Sequence, residues 1–356
     1  MPTSSSSVQP TERPNRKFYG NFKDPVGLIS RLLCRGGTVG KHLVVREALT
    51  QFVKPLDNWL KVSERSLLAQ DFKTDFPLLL IVGPPRSGTS LLHQVLASCL
   101  DVSYFTNFNA MFRKSPLSAA KYFQKRLDPG PVTGENLYGN TSGFRGVNDA
   151  FHVWNRYLGI ERYDAMSALD SSTARKMRQF FHVWTHITSK PLLNKNNRNL
   201  ACTTLLSELL PNAHFIAVHR EPVYVAQSLL KAREWVQGNR KVGWGLSSVD
   251  SSATGNPMDD VEAVCRQVAA NERLLKRQRE QISSERWTDV SYESFCENPQ
   301  TIIREICERH PSIKLRSPER IASVQPFANT NQDRLTDDEV DRIRRLLAAC
   351  EEVPVN

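Results

Sequence analysis

The stretch Leu78-Leu79-Leu80-Ile81-Val82-Gly83-Pro84-Pro85-Arg86-Ser87-Gly88-Thr89-Ser90-Leu91-Leu92 decides the reading of this chain. Five aliphatic residues in a row, bounded by a glycine, have the length and composition of a buried strand. The strand runs into a Gly-containing loop that opens a helix, so successive backbone N–H groups and the helix N-terminus converge on one point. Such a point binds phosphate. Gly83 and Gly88 have the spacing of the nucleotide loop G-x-x-x-x-G-K-[ST], but Thr89 stands where that loop has lysine. Positive charge comes instead from Arg86, whose guanidinium fork suits phosphate or sulfonate oxygens. Thr89 and Ser90 add hydroxyl donors. The competing reading is a plain Gly/Pro turn between a strand and a helix.

Outward from this loop, short apolar runs recur at Leu78–Val82, Val102–Phe105, Leu192–Leu193, His214–Val218 and Trp287–Val290. Helical patterns separate them. Met177, Phe180, Phe181, Trp184 and Ile187 follow helical spacing, as do Val261, Val264, Val268, Leu275 and Ile282. A last helix opens with a capping box of Thr336 and Glu339 and carries Val340, Ile343, Leu346 and Leu347 on one face. Alternating strands and helices predict an α/β fold with a central parallel sheet flanked by helices. Ligands in such folds bind beyond the carboxyl ends of the strands.

A second strand-to-helix junction, His214 to Ser228, places Arg220 at a strand end, Pro222 at the first helical turn and Ser228 two turns along. Taken alone, Arg220 reads as a surface charge at a helix start.

The segment G-P-P-R-S-G-T-S-L-L resembles the 5′-phosphosulfate loop of sulfotransferases that use 3′-phosphoadenosine 5′-phosphosulfate (PAPS), in the branch that carries P-R-S-G-T and includes bacterial small-molecule enzymes. The resemblance implies the P-loop nucleotide-kinase-like fold of that family. It also implies that Arg86, Ser87, Gly88, Thr89 and Ser90 hold the 5′-phosphate and the sulfuryl group. Ser90 replaces a more usual threonine. Arg220 and Ser228, eight positions apart, are similar to the family's clamp on the 3′-phosphate. Tyr292, in Y-E-S-F-C-E-N-P, matches a tyrosine that packs near adenine, and Lys195 matches a lysine that assists transfer. The resemblance implies PAPS as co-substrate, no metal, and an acceptor bearing a hydroxyl group.

Transfer to a hydroxyl calls for a general base. Asn197 stands where cytosolic members of the family carry histidine, and the segment Ser103 to Asn109 lacks the glutamate of other members. The segment Gly139–Trp154 resembles an acceptor-side stretch of bacterial-type members and leaves Asp149 and His152 as candidates, with Asp149 near a position where those members carry an acid. A surface charge or a satisfied core histidine are the alternatives. Phe105, Phe108, Phe112, Phe144, Phe151, Trp154 and Tyr157 fall in the same region and point either to a hydrophobic acceptor or to ordinary core.

The whole chain has 356 residues and a net charge of +10, in keeping with an anionic ligand. No motif or basic-aromatic stripe indicates nucleic-acid binding. The longest apolar run is too short to span a membrane. Residues 1–21 read as a disordered tail, followed by one domain over 22–356. Seven scattered cysteines without a C-x-x-C pair read as reduced thiols, so a cytoplasmic protein is expected. Two other functions fit parts of this pattern: a P-loop kinase of small molecules, and a catalytically inactive nucleotide binder of the same fold.

Overall fold

The aliphatic run is strand β1 (Leu78–Val82), buried at all five positions. The computed structural model describes residues 22–123, 135–159, 165–247 and 259–351. The expected tail at 1–21 and nearly all of the polar stretch 247–256, expected as a surface loop, lie outside the described residues. The other expected runs form β2 (Ser103–Tyr104), β3 (Leu192–Lys195), β4 (Ala213–His219) and β5 (Trp287–Ser291). They make one parallel sheet in the order β2-β3-β1-β4-β5. With β1 paired on both sides and covered on both faces, every one of its side chains is withdrawn from water, so no polar alternation interrupts its sequence. β3 runs two residues beyond the expected Leu192–Leu193. Asn194 and Lys195 pair with Leu80 and Ile81, and their polar side chains find buried partners, described below.

Two helices precede the sheet, α1 (Pro25–Arg35) and α2 (Gly37–Leu68); α3 (Thr89–Cys99) follows β1. Between β2 and β3 come α4 (Pro116–Phe123), α5 (Phe151–Leu158) and α6 (Ser171–Thr188), and α7 (Thr203–Leu209) leads into β4. After β4 come α8 (Pro222–Gln237) and α9 (Asp260–Glu280), and after β5 come α10 (Tyr292–Glu297), α11 (Pro299–Arg309), α12 (Pro318–Ala322) and α13 (Asp337–Glu351).

The period-two geometry of a strand divides β1 between two cores. Leu78, Leu80 and Val82 join Met177, Phe180, Phe181 and Trp184 of α6. Leu79 and Ile81 join Leu92 and Val95 of α3, Phe295 of α10 and Ile303 of α11. A third cluster packs α8, α9 and α13 through Leu229, Val264, Val268, Ile343 and Leu347. Glu339 N donates to Thr336 Oγ1 at 3.4 Å, a loose form of the expected capping box.

Helices α1 and α2 are fixed by charges placed at other helix ends. Arg31 donates to the carbonyls of Trp235 and Val236 at the C-terminus of α8 (2.6 and 3.3 Å), where guanidinium charge is favoured. Asp57 and Glu64, both buried on α2, accept from the backbone N–H groups of Ser115 and of Leu117 and Ser118 at the start of α4. Burial raises the Glu64 pKa, opposed by those N–H donors. The result holds α1 and α2 beside the carboxyl ends of the strands.

Candidate active site

Gly88 is the N-cap of α3, with φ 98°, a left-handed geometry that a side chain disfavours. A Cβ there would lie 2.3 Å from Tyr292 Cδ2, so the glycine lets the tyrosine close against the loop. The first N–H groups of α3, at Thr89 and Ser90, have no intrahelical acceptor and face outward from the helix start. Ser87 is fully buried, and its hydroxyl donates to Pro84 O at 2.8 Å, bracing the turn from inside. Asn197 holds the loop from the other side. Its Nδ2 donates to Gly83 O (2.7 Å) and Pro84 O (3.0 Å), and its amide also meets Thr89 Oγ1.

Arg86 adopts φ 76° and sends its side chain across to α8. Its Nε donates to Ser228 Oγ at 2.9 Å, and its guanidinium lies 5.0 Å from the centre of the Tyr138 ring. Burial lowers its pKa, with Arg220 adding to that shift and Tyr138 opposing it. Arg220 NH1 donates to the Arg86 carbonyl (3.0 Å), Nε to Asn331 Oδ1 (2.8 Å) and NH2 to Thr330 Oγ1 (3.1 Å). Its guanidinium sits 4.4 Å from the centre of the Tyr292 ring, a cation–π contact, while Tyr292 OH meets Thr330 Oγ1 at 2.9 Å. The structure thus brings the two strand-end motifs into direct contact.

Lys195, at the end of β3, donates from Nζ to Asp149 Oδ2 at 2.8 Å; their side chains are 3% and 17% exposed. Asn196 Nδ2 holds the Asp149 carbonyl at 3.1 Å. Burial raises the Asp149 pKa, with Lys195 and Arg46 pulling the other way. Ala150 takes φ 52° at the start of α5, and its N–H is held by Asn148 Oδ1 at 2.9 Å. Asn148 Nδ2 in turn donates to Asn107 Oδ1, which also accepts from Arg46 NH1 (2.9 and 2.8 Å). Asn194 donates to the Asn148 carbonyl and accepts from Trp154 Nε1 (3.3 and 2.7 Å). His152 lies one helical step along, with Nε2 buried and unpartnered. Burial, with Arg156, Arg113 and Arg46 adding to it, drives its pKa down to about 3.

One cleft of about 1440 Å³ is lined by every expected site residue except the buried Ser87. At one end lie Arg86, Ser228, Arg220 and Tyr292; Lys195 and Asp149 line its wall; the far end is aliphatic, formed by Leu28, Ile29, Leu32, Leu43 and Val44 of α1 and α2. Most of the aromatic residues after β2 take the ordinary-core alternative. Phe105, Phe112, Trp154 and Tyr157 are buried core, Phe108 packs with Phe112 and Phe123, and Phe144 is exposed beside His42. Of the seven, Phe151 lines the cleft.

Residues 77–311 match the family model described as the sulfotransferase family. The chain belongs to the sulfotransferase family. Its fold is also that of sulfotransferase STF9 from Mycobacterium avium, at 17% identity over 82% of this chain and 80% of that one, with a TM-score of 0.52. Sulfotransferase STF1 from Mycobacterium tuberculosis is similar over 92% of both chains, at 13% identity and a TM-score of 0.51. No curated protein sequence matches the chain.

In this sulfotransferase, several groups at the cleft were not singled out from sequence. Asn197 stands out in the sequence only as a missing base, whereas its amide locks the loop between β1 and α3. Tyr138, which faces Arg86, is backed by Trp235 and Trp244 at ring distances of 5.0 and 6.2 Å. Thr330 and Asn331 close over Arg220 from beyond the matched residues. The run Asn194-Lys195-Asn196-Asn197 was the available signal: four polar residues at a strand end whose interior is buried.

Proposed function

We propose that this sulfotransferase moves a sulfuryl group from PAPS to a hydroxyl of a small hydrophobic acceptor. The observation that carries this reading is the contact between two anion-binding motifs, Arg86 with Ser228 and Arg220 with the Arg86 carbonyl, within one cleft that also holds the Lys195–Asp149 pair. A nucleotide phosphorylated at both 3′ and 5′ positions needs two such sites side by side. The residues fit it: Gly88 leaves the space a Cβ would take from Tyr292, and the free N–H groups of α3 supply phosphate donors.

PAPS brings an already activated sulfuryl group, so the chain needs to supply binding, orientation and charge. Arg220 and Ser228 are assigned to the 3′-phosphate, with Tyr292 beside the adenine. The N–H groups and hydroxyls at Gly88, Thr89 and Ser90, with Arg86, are assigned to the 5′-phosphate and sulfuryl oxygens, and Ser87 shapes their turn. As the acceptor oxygen bonds to sulfur and the bond from sulfur to the phosphate oxygen breaks, negative charge moves onto the 5′-phosphate. Arg86 and Lys195 offset that charge. Asp149 takes the acceptor proton. Its carboxylate is held by Lys195 and its backbone carbonyl by Asn196, and its raised pKa makes it a stronger base than an exposed aspartate. His152 is the weaker candidate, since burial disfavours its protonated form. The aliphatic end of the cleft supports a hydrophobic acceptor.

The reaction is assigned to the cytoplasm, where reduced thiols persist; no described helix is long and apolar enough to cross a membrane. Incubating the protein with PAPS and hydroxylated metabolites and weighing the products tests the proposal. Gain of a sulfo group is expected. Preference for ATP over 3′-phosphoadenosine 5′-phosphate in titrations would turn the assignment to a kinase, and tight binding of the latter without any product would leave a nucleotide binder.

A further inference from the structure

Helices α1 and α2 carry apolar side chains on two faces. One face is inward: Leu60 and Leu67 are buried. The other points to solvent. Val26, Ile29 and Leu33 on α1, and Val45, Phe52, Leu56, Trp59 and Val62 on α2, account for eight of the eleven large hydrophobics exposed among the described residues. Phe52, Trp59 and Val62 are 79%, 73% and 72% exposed. On α2 they recur at spacings of seven, four and three, which lays them along one stripe.

The charges on the same two helices are one-sided. Arg35, Lys41, Lys54 and Arg65 are exposed. Of the three carboxylates, Asp57 and Glu64 are buried against α4, and Glu47, half-exposed, is neutralised by Arg113. An outward apolar stripe on helices whose exposed charge is positive, apart from the paired Glu47, is complementary to an anionic lipid surface. It is poorly suited to a second copy of itself, which would bring like charges together. The stripe also runs into the cleft. Ile29 is half exposed and lines it, and Val44, beside exposed Val45, lines it too.

We propose that α1 and α2 form an interfacial docking face for membranes containing anionic lipids, with Phe52 and Trp59 inserted at the headgroup level and the aliphatic end of the cleft opening toward the bilayer. An acceptor with a hydrocarbon body would then reach the cleft from the membrane with its hydroxyl leading. That last step rests on the transfer reading; the docking face does not.

Flotation of the full chain with phosphatidylcholine vesicles, with and without phosphatidylglycerol, tests it without any nucleotide or transfer. Binding to the anionic vesicles, weakened by salt, is expected. Phe52→Ser with Trp59→Ser should reduce it roughly tenfold or more, and Lys41→Glu, four residues before Val45 on the same stripe, should reduce it several-fold on anionic vesicles. All three positions are exposed, so folding should be retained, and circular dichroism checks this. Failure of the unmodified chain to float with anionic vesicles overturns the proposal. So does concentration-dependent self-association that Phe52→Ser with Trp59→Ser abolishes, which would assign the face to a second copy.

Discussion

Arg220 touches Arg86, Thr330, Asn331 and Tyr292 at once, so its guanidinium is fixed before any ligand arrives. Replacing it with alanine is expected to remove most of the preference for 3′-phosphoadenosine 5′-phosphate over 5′-AMP, a loss of roughly ten- to a hundredfold at about 1.5–3 kcal/mol for a charge-assisted contact. Calorimetric titration with both nucleotides measures it; an unchanged ratio would remove Arg220 from the 3′-phosphate site. Asp149→Asn is expected to lower turnover about a hundredfold while leaving nucleotide affinity in place, with a smaller effect from His152→Ala. Removing one member of a buried ion pair costs about 3–5 kcal/mol, so unfolding curves of the variant accompany the rate. The pair also sets a pH dependence. On the proposed assignment the base works ionised, so turnover should fall as pH drops through the Asp149 pKa, which burial has raised. Lys195 holds that pKa down, and Lys195→Met should move the acid limb to higher pH. A limb that stays put would mean that Asp149 does not govern the rate. The two strand-end motifs were readable in the sequence because their residues are tied to backbone turns at fixed spacing, and the fold brings them together. The role of Asn197 was not, since its partners, the carbonyls of Gly83 and Pro84, lie over a hundred positions away and carry no residue-type signal.

The strands and the helices of the sheet were legible because each buries a face of regular period against β1 or its neighbours. α1 and α2 were not. α2 contains Gly40 and Pro55, which read locally as breaks, and apolar residues on two faces blur the helical period. The aromatic segments after β2 take the ordinary-core alternative: most of their rings fill the space under α4 and α6, and Phe151 alone of the seven joins the cleft, whose aliphatic lining comes largely from α1 and α2. At the junction of β1 and α3, Gly88 combines positive φ with contact against Tyr292. Gly88→Ala should therefore weaken binding of 3′-phosphoadenosine 5′-phosphate at least tenfold, by displacing the Tyr292 ring and straining the helix start by about 1–2 kcal/mol. Unaltered binding by this variant would show that the ring and loop move apart freely.

At the scale of the molecule, the donor end of the cleft joins segments from β1, β4, α8, β5 and the chain before α13, which come together only in the folded state. A ligand at that end should stabilise the whole fold, by about 2.7 kcal/mol at a concentration one hundred times its Kd. Calorimetric scans should show a rise in Tm of roughly 5 °C with 3′-phosphoadenosine 5′-phosphate, and a much smaller rise with the same concentration of 5′-AMP. Equal shifts would mean that the 3′-phosphate is not recognised. The other end of the cleft has a different origin. α1 and α2 are complete before the first strand begins, and they reach the donor end chiefly through Arg31 on the last turn of α8. On the transfer reading proposed above, donor chemistry and acceptor choice would be separable by a single splice ahead of β1 that keeps Arg31 and Arg46. A chimera that exchanges residues 25–68 for the corresponding hairpin of a relative would inherit new acceptor tastes with its old donor intact, and descent within such a lineage can diversify what is sulfated without passing through forms that have lost the donor.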